Sequence, residues 1–333
     1  MKKQIINLIF LMSFYVSVGQ DFHISQYDGF TMYLNPALTG NYVDYESDYK
    51  IYSTNRSQWR SLGGKPFSTY GIGYDMKHKK FGIGSYLLNN RAGMANFNTL
   101  NFQVSGSYFI TDSKYSPHAM NVGLQLGVFY KTFNPTNLLF ESQYDYSTGT
   151  LNPEISSGEV FQRTKLLKLD ANLGFYYRYK EEKSKYHPFG GFSLNHLSIP
   201  KENFISKTPR LPMRLNLHGG CDFVLDSKTI LTPNILYMNQ AKASEFNLGV
   251  GIDYLLKEER NLSYRLKGGL NYRWKDAIIV QAGISKNNIT LRMSYDINTS
   301  YLRNYTNGKG AFELGLQISG IKNEFIFKKA TMF

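Results

Sequence analysis

The sequence predicts an all-β protein, a transmembrane antiparallel β-barrel of about 14 strands behind an irregular N-terminal segment. Three observations carry that expectation. Apolar and polar residues alternate with period two along most of the chain. The alternating runs reach ten residues or more, whereas soluble strands usually hold about five or six and a tilted strand crosses a bilayer in roughly 9–11. Aromatic residues make up 15% of the 333 residues, with 26 Tyr, 23 Phe and 29 Gly against only 19% charged residues, a composition suited to strands, tight turns and interfacial aromatic girdles.

The chain opens with "MKKQIINLIFLMSFYVSVGQ": two lysines, an apolar run from Ile5 to about Val16, then small residues near Gly19. This is the layout of a secretory signal peptide over residues 1–19, with the mature chain starting near Gln20. No later stretch approaches the 18 apolar residues of a membrane helix, so the chain is not a helical membrane protein. Residues 20–44 contain "FHISQYDGFTMYLNPALTG", which follows neither helical nor strand periodicity and holds an Asn35-Pro36 turn and a closing Gly40. This stretch is expected to be a periplasmic or lumenal segment, with Tyr27 and Tyr33 packed inside the barrel and Asn35-Pro36 turning the chain into the first strand.

The barrel is expected over residues 45–320. In "LNFQVSGSYFI", Leu100, Phe102, Val104, Tyr108 and Ile110 share one face and Asn101, Gln103, Ser105 and Ser107 the other. The runs around 119–131, 168–180, 213–226, 245–256, 261–274 and 310–320 repeat the pattern. Weaker runs near 47–56, 67–76, 80–89, 188–197, 229–239, 277–285 and 288–297 complete the count of fourteen. Even-numbered connections are short and polar ("DMKHKKF", "LDSKT", "SKNN"), while the long ones, Thr132 to Leu167, Ile199 to Pro212 and Asn298 to Lys309, are odd-numbered; "WKDA" is a short exception. Short turns on one side and long loops on the other are the asymmetry of a bacterial outer-membrane barrel with both termini periplasmic. Residues 321–333 form a C-terminal extension. Alternation alone fits a soluble sandwich equally well; export, strand length and aromatic load favour the barrel.

The polar face would line the inside, bringing Asp170, Arg178, Arg214, Asp222, Arg265, Lys267, Arg273, Arg292, Asp296 and Glu313 into the lumen. Fourteen strands enclose more space than side chains alone fill, so water, a plug or a bound segment must occupy it. No catalytic residue or cofactor is indicated. "GIGYD" and "FGIGS" do not continue as phosphate- or dinucleotide-binding loops, no G-x-S-x-G elbow occurs, and the six histidines show no metal-ligand spacing. His218 near Arg214 and Asp222 could be read into a Ser-His-Asp set but suits a mixed-charge lumen better. Cys221 is the single cysteine, so neither an internal disulfide nor a zinc cluster supports the fold. The net charge of +13 is scattered over turns and strand faces, which argues against nucleic acid as a partner.

Several stretches together resemble the PorP/SprF family of type IX secretion system outer-membrane proteins. They are "SQY" (Ser25 to Tyr27) and "YLNPALTG" (Tyr33 to Gly40), "NRSQW" (Asn55 to Trp59), "GFSLNHLSIP" (Gly191 to Pro200) and "LTPNILY" (Leu231 to Tyr237). "NYRWKDAIIVQAGI" (Asn271 to Ile284), "RMSYDINTS" (Arg292 to Ser300) and "GAFELGLQ" (Gly310 to Gln317) complete the set. The family usually has Pro where this chain has Phe22, and it tends to stop soon after the final strand. The resemblance implies a non-enzymatic barrel embedded in outer-membrane lipid. Its implied partners are the type IX components and large secreted adhesins with a C-terminal targeting domain, which it exports or anchors; gliding motility is the setting in some members. The alternative is an outer-membrane diffusion channel or small-molecule transporter. Candidate contact residues are Tyr27, Tyr33, Asn35 and Pro36 in the N-terminal segment and Trp59, Tyr144, Tyr146 and Tyr305 as loop or rim aromatics.

Overall fold

A computed structural model describes residues 21–41, 47–61, 65–111, 116–161, 163–201, 210–259 and 262–320. The expected signal peptide (1–19) and C-terminal extension (321–333) lie outside the described residues. Fourteen antiparallel strands close into a barrel. They are β1 (Tyr49–Gln58), β2 (Phe67–His78), β3 (Phe81–Ala92), β4 (Phe97–Phe109), β5 (His118–Thr132), β8 (Lys165–Tyr179), β9 (Tyr186–Asn195) and β10 (Arg214–Val224). The circuit continues through β11 (Thr229–Gln240), β12 (Ala243–Glu259), β13 (Leu262–Arg273), β14 (Ala277–Lys286), β15 (Ile289–Asn298) and β16 (Lys309–Gly320), and closes by pairing β1 with β16 from Tyr49 opposite Gly320 to Gln58 opposite Ala311. The remaining strands, β6 (Tyr144–Asp145) and β7 (Thr150–Leu151), form a small hairpin within the longest loop. Strands this short carry no period-two signal, and the sequence shows them only as loop.

The alternation takes the inside-out form. Polar residues are the buried ones: Gln103, Asn121, Gln125, Ser193, Asp296 and Glu313 are almost fully enclosed. The apolar rows look outward, with Ile72 56%, Val104 49%, Leu124 49% and Leu270 53% exposed. A soluble sandwich would bury these rows against one another; here they form the belt that a bilayer's hydrocarbon covers. Among the described residues no helix is long and apolar enough to cross a membrane.

Loop lengths distinguish the two ends. One end carries tight turns such as Lys79–Lys80 between β2 and β3, and the other carries the 133–164 and 196–213 connections. Besides Trp274–Asp276, the connection Ala241–Lys242 is also short on the long-loop side. β1 starts and β16 ends at the short-turn side, in line with the parity argument for the termini. Asp21 departs from it: its amide donates to Gln240 Oε1 (2.8 Å) at the β11–β12 rim, on the long-loop side. The chain therefore runs the height of the lumen before β1 begins.

Candidate functional site: the occupied lumen

Residues 21–40 bond to opposite walls of the barrel, which places them inside it. Gln26 donates to Ser294 Oγ (3.3 Å) on β15, while Leu34 O accepts from Ser193 on β9 (2.7 Å) and from Asn216 on β10 (3.1 Å). Lumenal strand side chains are polar, so the segment's backbone finds donors and acceptors that an apolar core would not supply. Met32 O, for example, accepts from Gln125 (2.7 Å). The segment's apolar side chains make a core of their own: Phe30 sets its edge against Tyr52 (4.9 Å between centroids) and Tyr86 (5.6 Å), and Ile24, Met32 and Leu88 are buried beside them. A cavity beside the segment, lined by Gln26, Gly29, Phe30, Arg292 and Glu313 among others, offers about 20 Å³, room for about one water.

"NPALTG" is a docking element. Asn35 caps a 3₁₀ turn at Pro36–Leu38 by accepting from Ala37 N (2.9 Å), and its Nδ2 donates to Phe175 O (2.9 Å) and meets His218 Nε2 at 3.0 Å. Proline suits that first turn position, where its missing N–H costs nothing. The turn seats against glycines of the wall. A Cβ on Gly174 would overlap Asn35 Oδ1 and stand 3.0 Å from Pro36 Cδ, and one on Gly123 would overlap the Pro36–Ala37 backbone. Below it, Ser107 donates to Thr39 O (2.6 Å) and Asp75 accepts from Gly40 N (2.8 Å), guiding the chain out at the short-turn end.

Two charged clusters fix the upper part. In the first, Arg56 donates to Asp296 (2.9 Å), Glu313 (3.3 Å) and Ser25 Oγ (2.6 Å), and Arg273 donates to Asp296 (2.8 Å). Glu313 also accepts from the amides of Ser25 (2.8 Å) and Gln26 (3.2 Å), and Ser25 Oγ donates to Asp296 (2.8 Å). Two cations and two anions, all 3% exposed or less, are thus neutralised around one segment serine, the condition for burying charge at tolerable cost. In the second cluster, His196 Nε2 lies 2.6 Å from Asp21 and Nδ1 lies 2.9 Å from Asp170, while Arg214 donates to Tyr33 Oη (2.7 Å) and sits 3.1 Å from Asp21. Carboxylates accept, so both ring nitrogens are protonated and the imidazole is a cation. Burial opposes that charge, but Asp21 and Asp170 outweigh it and push the His196 pKa up to about 9. Burial likewise opposes ionisation of Asp21, which His196 and Arg214 overcome, holding its pKa far below the usual carboxylate range.

The other sequence-derived residues fall as follows. Tyr27 donates to Asn234 (2.7 Å), and Arg292 forks onto Asp28 through two 2.7 Å bonds. Arg178 pairs with Asp222, and Arg265 and Lys267 share Asp253, on parts of the inner wall away from both clusters. Trp59 follows β1 at the long-loop rim, tilted on Phe67 at 5.0 Å. Tyr144 and Tyr146 stack edge to face on the small hairpin, with Tyr146 91% exposed, and Tyr305 lies exposed beside Tyr301. Sequence reasoning missed Asp21, Ser25, Arg56 and His196. Arg56 shares the inward face of β1 with Tyr52 and Thr54, so its alternation was a usable signal; Asp21, Ser25 and His196 sit outside strands, where alternation gives none, and Ser25 and His196 were marked only by the family-like stretches that contain them.

A closed, lipid-belted cylinder with tight turns at one end, long loops at the other and its own amino-terminal segment across the lumen is an outer-membrane β-barrel of the plugged kind. Residues 16–318 match the family described as type IX secretion system membrane protein PorP/SprF, and the chain belongs to that family. No curated protein matches the chain. Among solved structures it is similar to the toluene transporter TbuX of Ralstonia pickettii, with 10% identity over 87% of this chain and 93% of that one and a TM-score of 0.51. It is also similar to the toluene transporter TodX of Pseudomonas putida, with 10% identity over 91% and 94% and a TM-score of 0.49. At that identity the likeness to TbuX shows the barrel fold alone.

Proposed function

We propose that this protein is a non-enzymatic, plugged receptor barrel of the type IX secretion system. It supports the export or surface anchoring of large adhesins, which it recognises through their C-terminal targeting domain, and it serves gliding motility where the cell glides. The signal peptide at residues 1–19 delivers it to the periplasm, from which it enters the outer membrane. The observation that carries the reading is the lumen: a segment held by two buried ion clusters and seated on wall glycines suits a barrel that presents a surface better than one that passes solutes. The exposed tyrosines of the long-loop end, Tyr144, Tyr146 and Tyr305, are the kind of residue that anchors protein contacts.

Deleting the gene tests this. Loss of every large adhesin carrying a C-terminal targeting domain from the cell surface, with restoration by the wild-type gene, is expected; unchanged display refutes the reading. The competing one, a diffusion channel, takes its support from the fold shared with TbuX. It predicts steady conductance of the purified barrel in planar bilayers, whereas the plugged reading predicts a silent membrane.

A further inference from the structure

One seam of the barrel is shorter than the rest. Only Leu173–Arg178 of β8 pair with Phe189–Leu194 of β9, six pairs, while every other seam registers eight or more. Beyond Asn195 the chain bends away from β8 through His196 (φ 61°) and Ile199 (φ 41°), left-handed conformations that end a strand. Leu197 N still donates to Ala171 O (2.9 Å) and Ser198 Oγ to Leu169 O (3.0 Å). Among the described residues no strand pairs with Lys165–Leu169 on that side, although the same residues pair in full with β5 on the other.

The outward exposure agrees. Leu167 is 65% and Leu169 75% exposed, more than any other large apolar residue on the barrel strands, because the neighbour that flanks such residues elsewhere is missing. The bond of Ala171 O to Leu197 sets the alternation of main-chain groups. Residues in step with Ala171, namely Lys165, Leu167 and Leu169, turn their N–H and C=O away from β5; Leu169 O takes the Ser198 hydroxyl, which leaves Lys165 and Leu167 facing the vacancy. An edge of this kind is a template for another strand, and its unmet groups are costly wherever the surroundings are apolar. The chemistry around it is one-sided. Arg163 to Leu169 carries three cations, Arg163, Lys165 and Lys168, and no anion, and Lys201 and Arg210 stand at the base of the loop that leaves the seam.

We propose that the Lys165–Leu169 edge of β8 is a strand-addition site for an extended segment of a secreted protein. The segment's alternate apolar residues continue the Leu167–Leu169 row, and its acidic residues meet the Arg163, Lys165 and Lys168 cations. Main-chain pairing supplies the affinity and the alternating side chains the selectivity. The proposal rests on the receptor reading above and assigns the client's contact to the wall beside the β8–β9 seam.

The test uses the full-length protein in its own membrane. A photo-reactive benzoylphenylalanine replaces Leu167, and in a second strain Leu124 on the lipid-facing wall. Expected is a covalent product from position 167, and none from 124, whose mass-spectrometric peptides map to an acidic, alternately apolar stretch of an exported protein. Leu167→Pro, introduced with the probe moved to Leu169, removes only a main-chain donor that points away from β5 and lowers that product about tenfold or more. Heat-modifiable gel mobility confirms that the variant still closes its barrel; if it does not, Lys165→Glu with Lys168→Glu replaces it and is expected to lower the product similarly. Products from position 167 that contain only lipid, or only residues 199–213 of the same chain, overturn the proposal, as does a yield unchanged in the variants. Adhesin display lost on gene deletion but intact in Leu167→Pro cells defeats the edge alone; display that survives deletion defeats the receptor reading itself.

Discussion

Gly174→Val should unseat the plug while sparing the barrel. Gly174 faces the lumen on β8, where an added Cβ overlaps Asn35 Oδ1 and crowds Pro36 Cδ at 3.0 Å and Ala37 N at 3.1 Å. Asn35 would have to leave, giving up its bonds to Ala37 N, Phe175 O and His218. Three such bonds contribute about 0.5–1.5 kcal/mol each, and forcing bulk into a packed site costs about 1–3 kcal/mol more, so the seat loses about 2.5–7.5 kcal/mol. That raises the open fraction by a factor of about 100 or more. β8 itself tolerates valine, a good strand former whose ladder bonds are untouched. The assay is conductance in planar bilayers together with chymotrypsin cleavage at Tyr27, Phe30 and Tyr33 in outer membranes. Gly174→Val is expected to conduct and to be cut, and the wild type to do neither. Gly106→Val is the control, because an added Cβ there meets open space on the outer wall. If Gly174→Val is as silent and as protected as the control, the Asn35-Pro36 turn does not hold the segment and the reasoning fails.

Three further outcomes follow from the same geometry. Arg56→Ala leaves Glu313 and Asp296 in the lumen with Arg273 as their remaining close cation and is expected to destabilise the barrel by about 3–5 kcal/mol, read as a lower transition temperature in heat-modifiable gels. Arg56→Met with Glu313→Gln should recover most of that loss; equal loss in both would refute the charge argument. The His196 clamp gives a pH window: its pKa of about 9 in place of 6.5 stabilises the folded form by about 3 kcal/mol, fully below pH 6.5 and progressively lost as pH rises through 9. Protease protection of the Asp21 end should decline over that range in the wild type but not in His196→Gln, and a flat wild-type profile would refute the assignment. Leu124→Arg on the outer wall should cost up to about 4 kcal/mol in lipid, measured as refolding yield into vesicles; a neutral effect would argue against a hydrocarbon belt there.

The cylinder was legible because side-chain period two survives any tertiary context: a residue on a paired strand faces one side or the other, and Leu100 to Ile110 or Phe312 to Ile318 could not be read otherwise. Alternation does not say which face is buried, and strand length and composition had to supply that. The lumen was half legible. Asp170, Arg214, Arg273, Asp296 and Glu313 follow from the inward phase of their strands, but their partners do not, because the path of an aperiodic segment is set by tertiary bonds. Ser25 meets residues more than 250 positions away, and no local pattern encodes such a pairing. The shortened β8–β9 seam was hidden for the same reason: each strand reads as complete by itself, and only their register shows where they part.

Asp21 lies at the opposite mouth from the junction of Tyr49 with Gly320. The molecule is therefore a lasso: residues 21–40 pass through a ring that the strands from Tyr49 to Gly320 tie shut. Closing β1 onto β16 around the segment spares the chain from drawing a polar thread through a finished tube. It also means that Asp21 and Gly320 stand at different mouths of the same cylinder.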